Sequence, residues 1–388
     1  MIQRANHISN KTPFMRVMAG GAAATLLSLA LAGCSAGGSI LPGGGDSQSP
    51  TPTVNYVTAP LTGVKFVDGT AEAAALASPS VACKIDNSEA ARPQQGLNST
   101  DVVFDEMVEG GLTRLVAIWQ SNKPTAIGPV RSIRPMDPDI ISPFGGIVCY
   151  SGGQQIFVNL MRNTAVFNAS ETSEQGKGTF SRTHDREAPH NVIVNVSKLA
   201  AAHSDIAAPQ QMWDFSAEVA GSSAGSAASA ASVTSLTVKY PSATAKWDWS
   251  ASAKSSTGVD GAWVRTQDGK PHIDKLTGAQ VRATNVVVLD VKIDRSYADH
   301  KYGHIPKTVM IASGDAWVFT GGGMVKARWQ KTSQTGRILL TDSAGAAITL
   351  APGNTWVELK PAAPEGSLAM VTKSVGGGSA SPSPSATK

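Results

Sequence analysis

The chain has 388 residues and a formal net charge of +4, with 41% apolar and 16% charged residues. This composition supports a packed core and excludes a chain that is disordered throughout. Residues 1–33 contain Arg4, Lys11 and Arg16 but no acidic residue, so the rest of the chain carries a net charge of only about +1. A general nucleic-acid binder needs a basic surface, and we therefore expect no nucleic-acid partner.

Residues 1–33 have the pattern of an export signal. A basic stretch ends at Arg16, an apolar run covers residues 17–32, and small residues directly precede Cys34. This order is typical of a bacterial lipoprotein, in which the cysteine thiol takes a diacylglyceryl group and becomes the N-terminus after cleavage. An uncleaved membrane helix would need about 20 apolar residues. We predict a signal peptide and a protein anchored through Cys34, by fatty-acid chains such as palmitate, on the extracytoplasmic face of the cell membrane.

Composition divides the rest of the chain into five segments. Stretches rich in Gly, Ser, Pro and Ala bury little surface and alternate with segments that carry strand and helix patterns. We predict a flexible tether over residues 34–58, a mixed α/β domain over 59–207, a low-complexity linker over 208–232, a β-rich domain over 233–362 and a disordered tail over 363–388. The predicted fold class is α+β, with a sandwich-like or barrel-like second domain.

Cys83 and Cys149 each lie in an apolar, strand-like run. An exported protein can keep a disulfide, but free buried cysteine is also common, so the sequence leaves both states open. His300 and His304 are four residues apart, yet Gly303 and the following proline disfavour a metal-binding helix. We predict no metal site and no cofactor.

Two apolar runs of the first domain, residues 101–108 and 112–120, predict a hairpin with glycines at its turn. Side chains alternate along a strand, so Asp105 and Glu106 should lie on opposite faces. Glu106 shares its face with apolar neighbours, so its carboxyl group must be paired, exposed or protonated. Arg114 on the next strand is the candidate partner.

Six arginines of the first domain are candidates for binding an anionic ligand, because guanidinium forks suit carboxylate and phosphate. They are Arg92, Arg114, Arg131, Arg134, Arg182 and Arg186. Ser151, Gly152 and Gly153 precede a helix predicted over residues 154–162 and could present backbone N–H groups to an anion. His190 completes the candidate site. The alternative is that acidic residues of the same domain pair with these arginines.

Five segments of the first domain occur in an order that resembles the YerB-like family of bacterial lipoproteins. They are Ile85-Asp86-Asn87, Ala91-Arg92-Pro93-Gln94-Gln95-Gly96-Leu97-Asn98, Val108-Glu109-Gly110-Gly111-Leu112-Thr113-Arg114, Gly128-Pro129-Val130-Arg131-Ser132 and Ala188-Pro189-His190-Asn191. Segments of the second domain, among them Gly269-Lys270-Pro271-His272 and Pro352-Gly353-Asn354-Thr355-Trp356, fit the same family. The resemblance implies a two-domain, membrane-anchored envelope protein, and it supplies no catalytic residues.

The second domain contains six of the eight tryptophans. Aromatic residues favour strands, so most should pack in the core. Trp247 and Trp249 share one face of a strand and are the best candidates for an exposed pair that stacks on sugars.

Three functional hypotheses remain open. The first is a binding or assembly module for an anionic or polar cell-envelope ligand, such as a cell-wall polymer. The second is a glycan hydrolase or transferase that uses Glu106 or Glu109 with His190, because such chemistry needs two carboxyl groups in different environments. The third is an accessory lipoprotein that acts through envelope protein partners. No recognised catalytic motif supports the second.

Overall fold

The computed structural model describes residues 54–226, 230–255, 258–299 and 303–373. The predicted signal peptide, Cys34 and nearly all of the predicted tether lie outside these residues, as does His300. No helix in the described ranges has the length and apolarity needed to cross a membrane.

The first half of the described chain mixes strands with short helices. Its strands are β1 (Tyr56–Thr58), β2 (Lys65–Val67), β3 (Val81–Asp86), β4 (Val102–Met107), β5 (Thr113–Trp119), β6 (Ile147–Tyr150), β7 (Phe167–Ser170), β8 (Phe180–Arg182) and β9 (Val192–Val194). Its helices are α1 (Ala71–Ala75), α2 (Asp137–Ile141), α3 (Gln155–Arg162) and α4 (Val196–Ala202). Asn195 caps α4, because its side-chain oxygen accepts the N–H of Lys198 at 2.8 Å.

The second half is built from strands. They are β10 (Asp214–Phe215), β11 (Ala231–Lys239), β12 (Thr244–Lys254), β13 (Asp260–Gln267), β14 (Lys270–Pro271), β15 (Arg282–Ala283), β16 (Asn285–Val291), β17 (Ile293–Asp299), β18 (Gly303–Thr308), β19 (Ala312–Thr320), β20 (Gly323–Lys331), β21 (Leu339–Thr341), β22 (Thr349–Leu350), β23 (Thr355–Pro361) and β24 (Ser367–Thr372). The α+β class with a β-rich second half is confirmed.

Both halves contribute to one large mixed sheet. Its strand order is β14-β13-β12-β11-β20-β19-β16-β23-β4-β5-β3-β6-β7. The halves meet where β23 pairs with β4 in parallel, with Thr355 opposite Val102 and Glu358 opposite Asp105. The sheet therefore places residues from distant parts of the sequence side by side at this junction.

The predicted hairpin is confirmed, since β4 and β5 pair antiparallel. Gly110 and Gly111 at its turn both have φ of 71°, a region that favours glycine. A Cβ on Gly111 would also lie 2.6 Å from Pro241. Alternation along β4 places Phe104 in one buried cluster and Val103 in another, so Asp105 and Glu106 do face opposite ways.

Cys83 and Cys149 occupy the same register in the parallel strands β3 and β6. Their Cα atoms are 4.5 Å apart, and the two residues form a disulfide. The structure thus selects one of the two states that the sequence left open. The bond joins neighbouring strands that are 66 residues apart in the chain.

Three segments, those predicted as tether, linker and tail, contain strands. In the proposed tether, β1 pairs antiparallel with β2. Trp213 is buried within the proposed linker, and β10 beside it pairs with β22. In the proposed tail, β24 pairs antiparallel with β11. These predictions were wrong for residues 56–58, 214–215 and 367–372, because strand partners elsewhere in the sequence supply hydrogen bonds that local composition does not reveal.

A sealed arginine cluster occupies the junction of β4 and β23. Arg265 forms ion pairs with Asp105 and with Glu358, and all three side chains are fully buried. Its guanidinium carbon lies 5.6 Å from the ring centre of Trp247 and 4.9 Å from that of Trp356. Such contacts add cation–π attraction to the ion pairs.

The prediction that Trp247 and Trp249 form an exposed pair was wrong. Trp247 is fully buried, and its indole N–H donates to Glu358 at 2.9 Å. Trp249 is half-buried against Trp263, with ring centres 5.4 Å apart. Trp247 also packs against Trp356, with ring centres 5.2 Å apart, so aromatic neighbours take up the surface that a sugar would need.

Candidate functional site

Five candidate residues from the sequence line one open cleft of about 230 Å³. In the part of the chain that the structure describes, its lining is Asp86, Ser88, Val108, Glu109, Leu112, Thr113, Arg114, Arg131, Arg134 and His190. Three guanidinium groups thus share the cleft with two carboxylates and one imidazole. Together these side chains define the arginine cleft.

The register of strands β3, β4 and β5 brings together the charged residues at and below the floor of the arginine cleft. Asp86 at the end of β3 and Glu106 near the end of β4 both lie opposite Arg114 on β5. The segment 127–134 crosses beside them, since the N–H of Arg131 donates to the carbonyl of Lys84 at 2.8 Å. His190 reaches the cleft from the loop between β8 and β9.

Asp86 is the central carboxylate of the arginine cleft. One of its oxygens lies 2.6 Å from Nδ1 of His190 and 3.2 Å from Nε of Arg131, and the other accepts the N–H of Ser88 at 3.0 Å. Burial raises the pKa of this carboxyl, but the Ser88 N–H and the charges of Arg114 and Arg131 outweigh that effect. The pKa therefore lies below its usual value, and Asp86 stays ionised.

Glu109 pairs with Arg134 at the rim, with an Nε–Oε2 distance of 2.8 Å. Burial raises the pKa of Glu109, but Arg134 lowers it more, so the net shift is downward. Glu109 is therefore a carboxylate that holds Arg134 in place and is poorly suited to donate a proton.

Arg114 is the deepest arginine of the cleft, with 7% of its surface exposed. Its guanidinium donates to the carbonyl of Ser132 at 3.1 Å. Burial, followed by the positive charges of Arg134 and Arg131, lowers the pKa of Arg114 to about 10. Like charges this close repel each other, and an anion among them would relieve that repulsion.

Glu106 is sealed beneath the cleft. Its ion-pair partner is Lys84, which also contacts Asp137 at 2.8 Å, and all three side chains are fully buried. The prediction that Arg114 pairs with Glu106 was wrong: Arg114 lies opposite in backbone register, but the Lys84 ammonium takes the contact. Burial and the nearby Asp137 raise the pKa of Glu106 to about 7, although Lys84 lowers it.

Other arginines predicted for the site lie elsewhere. Arg92 pairs with Asp268 at 2.9 Å, and Arg182 pairs with Glu171 at 2.6 Å. Arg186 donates to backbone carbonyls, those of Ala91 and Pro93. Of these three, only Arg182 pairs with an acidic residue of the same domain, as the sequence alternative proposed. That alternative also holds inside the cleft, where Arg131 pairs with Asp86 and Arg134 with Glu109.

The Ser-Gly-Gly turn adjoins the cleft without lining it. The backbone N–H of Ser151 donates to the carbonyl of Arg131 at 3.0 Å, and its hydroxyl donates to Glu171 at 2.6 Å. Gly152 and Gly153 follow, and the carbonyl of Gly152 accepts the N–H of Ile133 at 3.2 Å. The turn therefore fixes the segment that carries Arg131 and Arg134.

The sequence reasoning missed two charged residues under the cleft, Lys84 and Asp137. Asp137 accepts the backbone N–H of Arg134 at 2.6 Å and so positions that arginine. A lysine in the middle of an apolar strand was the available signal, because a buried ammonium requires a carboxylate partner.

The chemistry of the arginine cleft suits anion binding better than acid–base catalysis. Glycosidic cleavage needs one protonated carboxyl group beside an ionised one. Glu109 is held ionised, and Glu106, whose pKa is raised, has no exposed surface. Among the residues that the structure describes, no group of three or more His, Cys, Asp or Glu side chains could hold a metal ion.

Comparisons with known proteins match both halves of the chain. The profile described as protein of unknown function (DUF3048) N-terminal domain matches residues 61–208, and that of the C-terminal domain matches residues 236–357. YerB of Bacillus subtilis (strain 168), which is named as a candidate lipoprotein, is 24% identical over 312 residues, covering 80% of this chain and 88% of YerB. The crystal structure of the YerB protein from Bacillus subtilis has the same fold, with a TM-score of 0.66 and 21% identity, covering 81% of this chain and 99% of that one.

Proposed function

Because the chain belongs to the family defined by the DUF3048 N-terminal and C-terminal domains, we propose that it is a lipid-anchored envelope protein that binds an anionic ligand in the arginine cleft. The proposal has two parts, an anchor and a binding site. They rest on different residues and are tested separately.

The anchor is the acylated Cys34, inserted in the outer leaflet of the cell membrane. Its support is the basic, apolar and small-residue order of residues 1–34, together with the lipoprotein description of the YerB relative. One chain gives only marginal binding, so two or three acyl chains are needed for stable anchoring. The bilayer is thus the first partner of this protein.

The anchor is tested by labelling cells with a palmitate analogue and separating membrane from soluble fractions. Wild-type protein should carry the label and sediment with membranes. The Cys34→Ser variant should carry no label. Label on that variant would refute lipidation at Cys34.

The binding site rests on one observation, the convergence of Arg114, Arg131 and Arg134 on an open cleft. Among the described residues, two carboxylates line that cleft. The fold holds the excess positive charge in place, because Arg131 and Arg134 are partly buried and Arg114 is almost completely buried. Guanidinium groups bind phosphate and carboxylate through two parallel N–H bonds. A phosphate or carboxylate group of a cell-envelope polymer, or of an envelope protein, fits this site.

The test is calorimetric titration of the full-length protein in detergent with inorganic phosphate. The thermal transition should also rise, since a ligand at 100 times its dissociation constant adds about 2.7 kcal/mol of stability. Arg131→Ala should abolish both signals while remaining folded. Arg182→Ala is the matched control, because Arg182 pairs with Glu171 outside the cleft. No binding by the wild type, or equal loss in both variants, would refute the arginine cleft as an anion site.

A further inference from the structure

A second cleft, of about 490 Å³, adjoins the arginine cleft and is not used by the proposed function. It lies between the two halves of the sequence and is lined by Glu89, Arg92, Pro93, Gln267, Lys270, Pro271, His272 and Ile273. Small-molecule sites usually have volumes of about 300–1,000 Å³. The arginine cleft, at about 230 Å³, is below that range and suits a small anion, whereas the second cleft can hold a ring.

The inner surface of the second cleft is mainly apolar. Pro93, Pro271 and Ile273 contribute apolar surface. The polar side chains at its base already have partners: Nδ1 of His272 lies 2.7 Å from Arg265, and its Nε2 lies 2.7 Å from Gln94. The base is thus fixed in place and offers little hydrogen bonding to a ligand.

Charged side chains surround this apolar base. Lys270 and Glu89 form an exposed pair at 2.6 Å, and Arg92 pairs with Asp268 at 2.9 Å. The Lys270–Glu89 pair is solvent-exposed and contributes little to stability, so a ligand can displace it at low cost. The combination of a mainly apolar inner surface and a charged rim matches a hexopyranose ring, which has C–H faces and hydroxyl edges.

One loop separates the two clefts. Ser88 lines the arginine cleft, and the next residue, Glu89, lines the second cleft. The amide nitrogen of Asn87 donates to Thr113 at 2.8 Å and to Gln267 at 3.1 Å. Thr113 lines the arginine cleft and Gln267 lines the second cleft, so the buried Asn87 amide connects the walls of both clefts.

We propose that the two clefts form one extended site for an anionic glycan, with the oxyanion in the arginine cleft and the neighbouring hexopyranose in the second cleft. This inference rests on the proposed function and specifies its ligand class. A sugar-linked phosphate or carboxylate meets both requirements, whereas inorganic phosphate meets only the first.

The experiment compares inorganic phosphate, maltose and maltose 1-phosphate by calorimetric titration of the full-length protein in detergent at fixed ionic strength. Maltose 1-phosphate should bind at least tenfold more tightly than inorganic phosphate. Ile273→Asp removes apolar surface from the second cleft and should abolish that gain, while inorganic phosphate affinity changes by less than about threefold. Leu276→Asp is the matched control, because Leu276 is exposed in the following turn and does not line the cleft.

The outcomes separate this inference from the proposed function. If inorganic phosphate binds but maltose 1-phosphate gains nothing, or if both aspartate variants behave alike, the extended site is refuted and the arginine cleft stands. If inorganic phosphate does not bind, the proposed function is refuted, and the extended site that rests on it is refuted as well. A disaccharide ending in glucuronic acid distinguishes the anion: tighter binding of that compound assigns a carboxylate, and tighter binding of maltose 1-phosphate assigns a phosphate.

Discussion

The arginine cleft and the sealed cluster around Arg265 contain the same residue types, but the cleft has an excess of positive charge and the cluster an excess of negative charge. The sealed cluster has one guanidinium for two buried carboxylates, Asp105 and Glu358. Burial and the charge of Glu358 raise the pKa of Asp105 well above its usual value, although Arg265 lowers it. The open cleft has three guanidinium groups for two carboxylates. The sealed cluster can neutralise its excess negative charge by binding a proton. The arginine cleft needs an external anion to neutralise its excess positive charge.

This difference shows that arginine content alone does not indicate function. Arg265 is enclosed by Trp247 and Trp356 and contributes to the joint between the two halves of the fold. Arg131 and Arg134 keep part of their side chains in solvent. Access and charge balance therefore distinguish a structural arginine from a ligand-binding one.

The largest expected effect comes from breaking the sealed cluster. Arg265→Met leaves two carboxyl groups buried without a cation, which typically costs about 3–5 kcal/mol. Urea denaturation of the full-length protein in a compatible detergent measures the loss. Arg182→Ala, in an exposed pair, should cost less than about 1 kcal/mol. Equal losses in the two variants would contradict the structural role of Arg265.

The next largest expected effect is on the pH dependence of stability, through the buried Glu106 under the arginine cleft. Glu106 has a pKa raised to about 7, so the folded protein binds its proton more tightly than the unfolded chain does. This contribution to stability is complete below about pH 4.5 and is lost as the pH rises through about 7. Glu106→Gln should remove it, so the stability of wild type relative to the variant should fall by about 3 kcal/mol over that range. Chemical denaturation at several pH values measures this, and a pH-independent difference would contradict it.

Removing a carboxylate from the open cleft should strengthen anion binding. Asp86→Asn keeps an acceptor for the Ser88 N–H but deletes one negative charge beside Arg131. The expected gain is about fivefold in inorganic phosphate affinity, corresponding to roughly 1 kcal/mol. Asp105→Asn in the sealed cluster is the control and should leave that affinity unchanged. A weaker affinity for the Asp86 variant would show that this carboxylate organises the site rather than opposing the anion.

The smallest expected effect is at the rim. Glu109→Gln frees Arg134 from its partner at 2.8 Å, in a more solvated position where charges interact weakly. Phosphate affinity should rise about twofold at low salt, and the gain should disappear at about 1 M salt, where the Debye length is about 3 Å. Titration at the two ionic strengths checks both expectations. A gain that survives high salt would contradict an electrostatic origin.

Several features of the fold could be predicted from the sequence because they depend on local periodicity. Alternation along β4 separated Asp105 from Glu106, and the glycines at positions 110 and 111 located the hairpin turn. The α+β class and the β-rich second half follow from the same kind of pattern. Part of the site was also predictable, since Arg114, Arg131, Arg134, Glu109 and His190 all line one cleft.

The tertiary structure decided which partners those residues have. Strand order brought Lys84 to Glu106, joined Cys83 to Cys149 and placed Arg265 beside Asp105, 160 residues away in the chain. Composition cannot separate Arg131 from Arg182, because each lies in a segment that contains a second arginine. Sequence patterns determine which face of a strand a side chain occupies, but only the assembled sheet determines what lies opposite it.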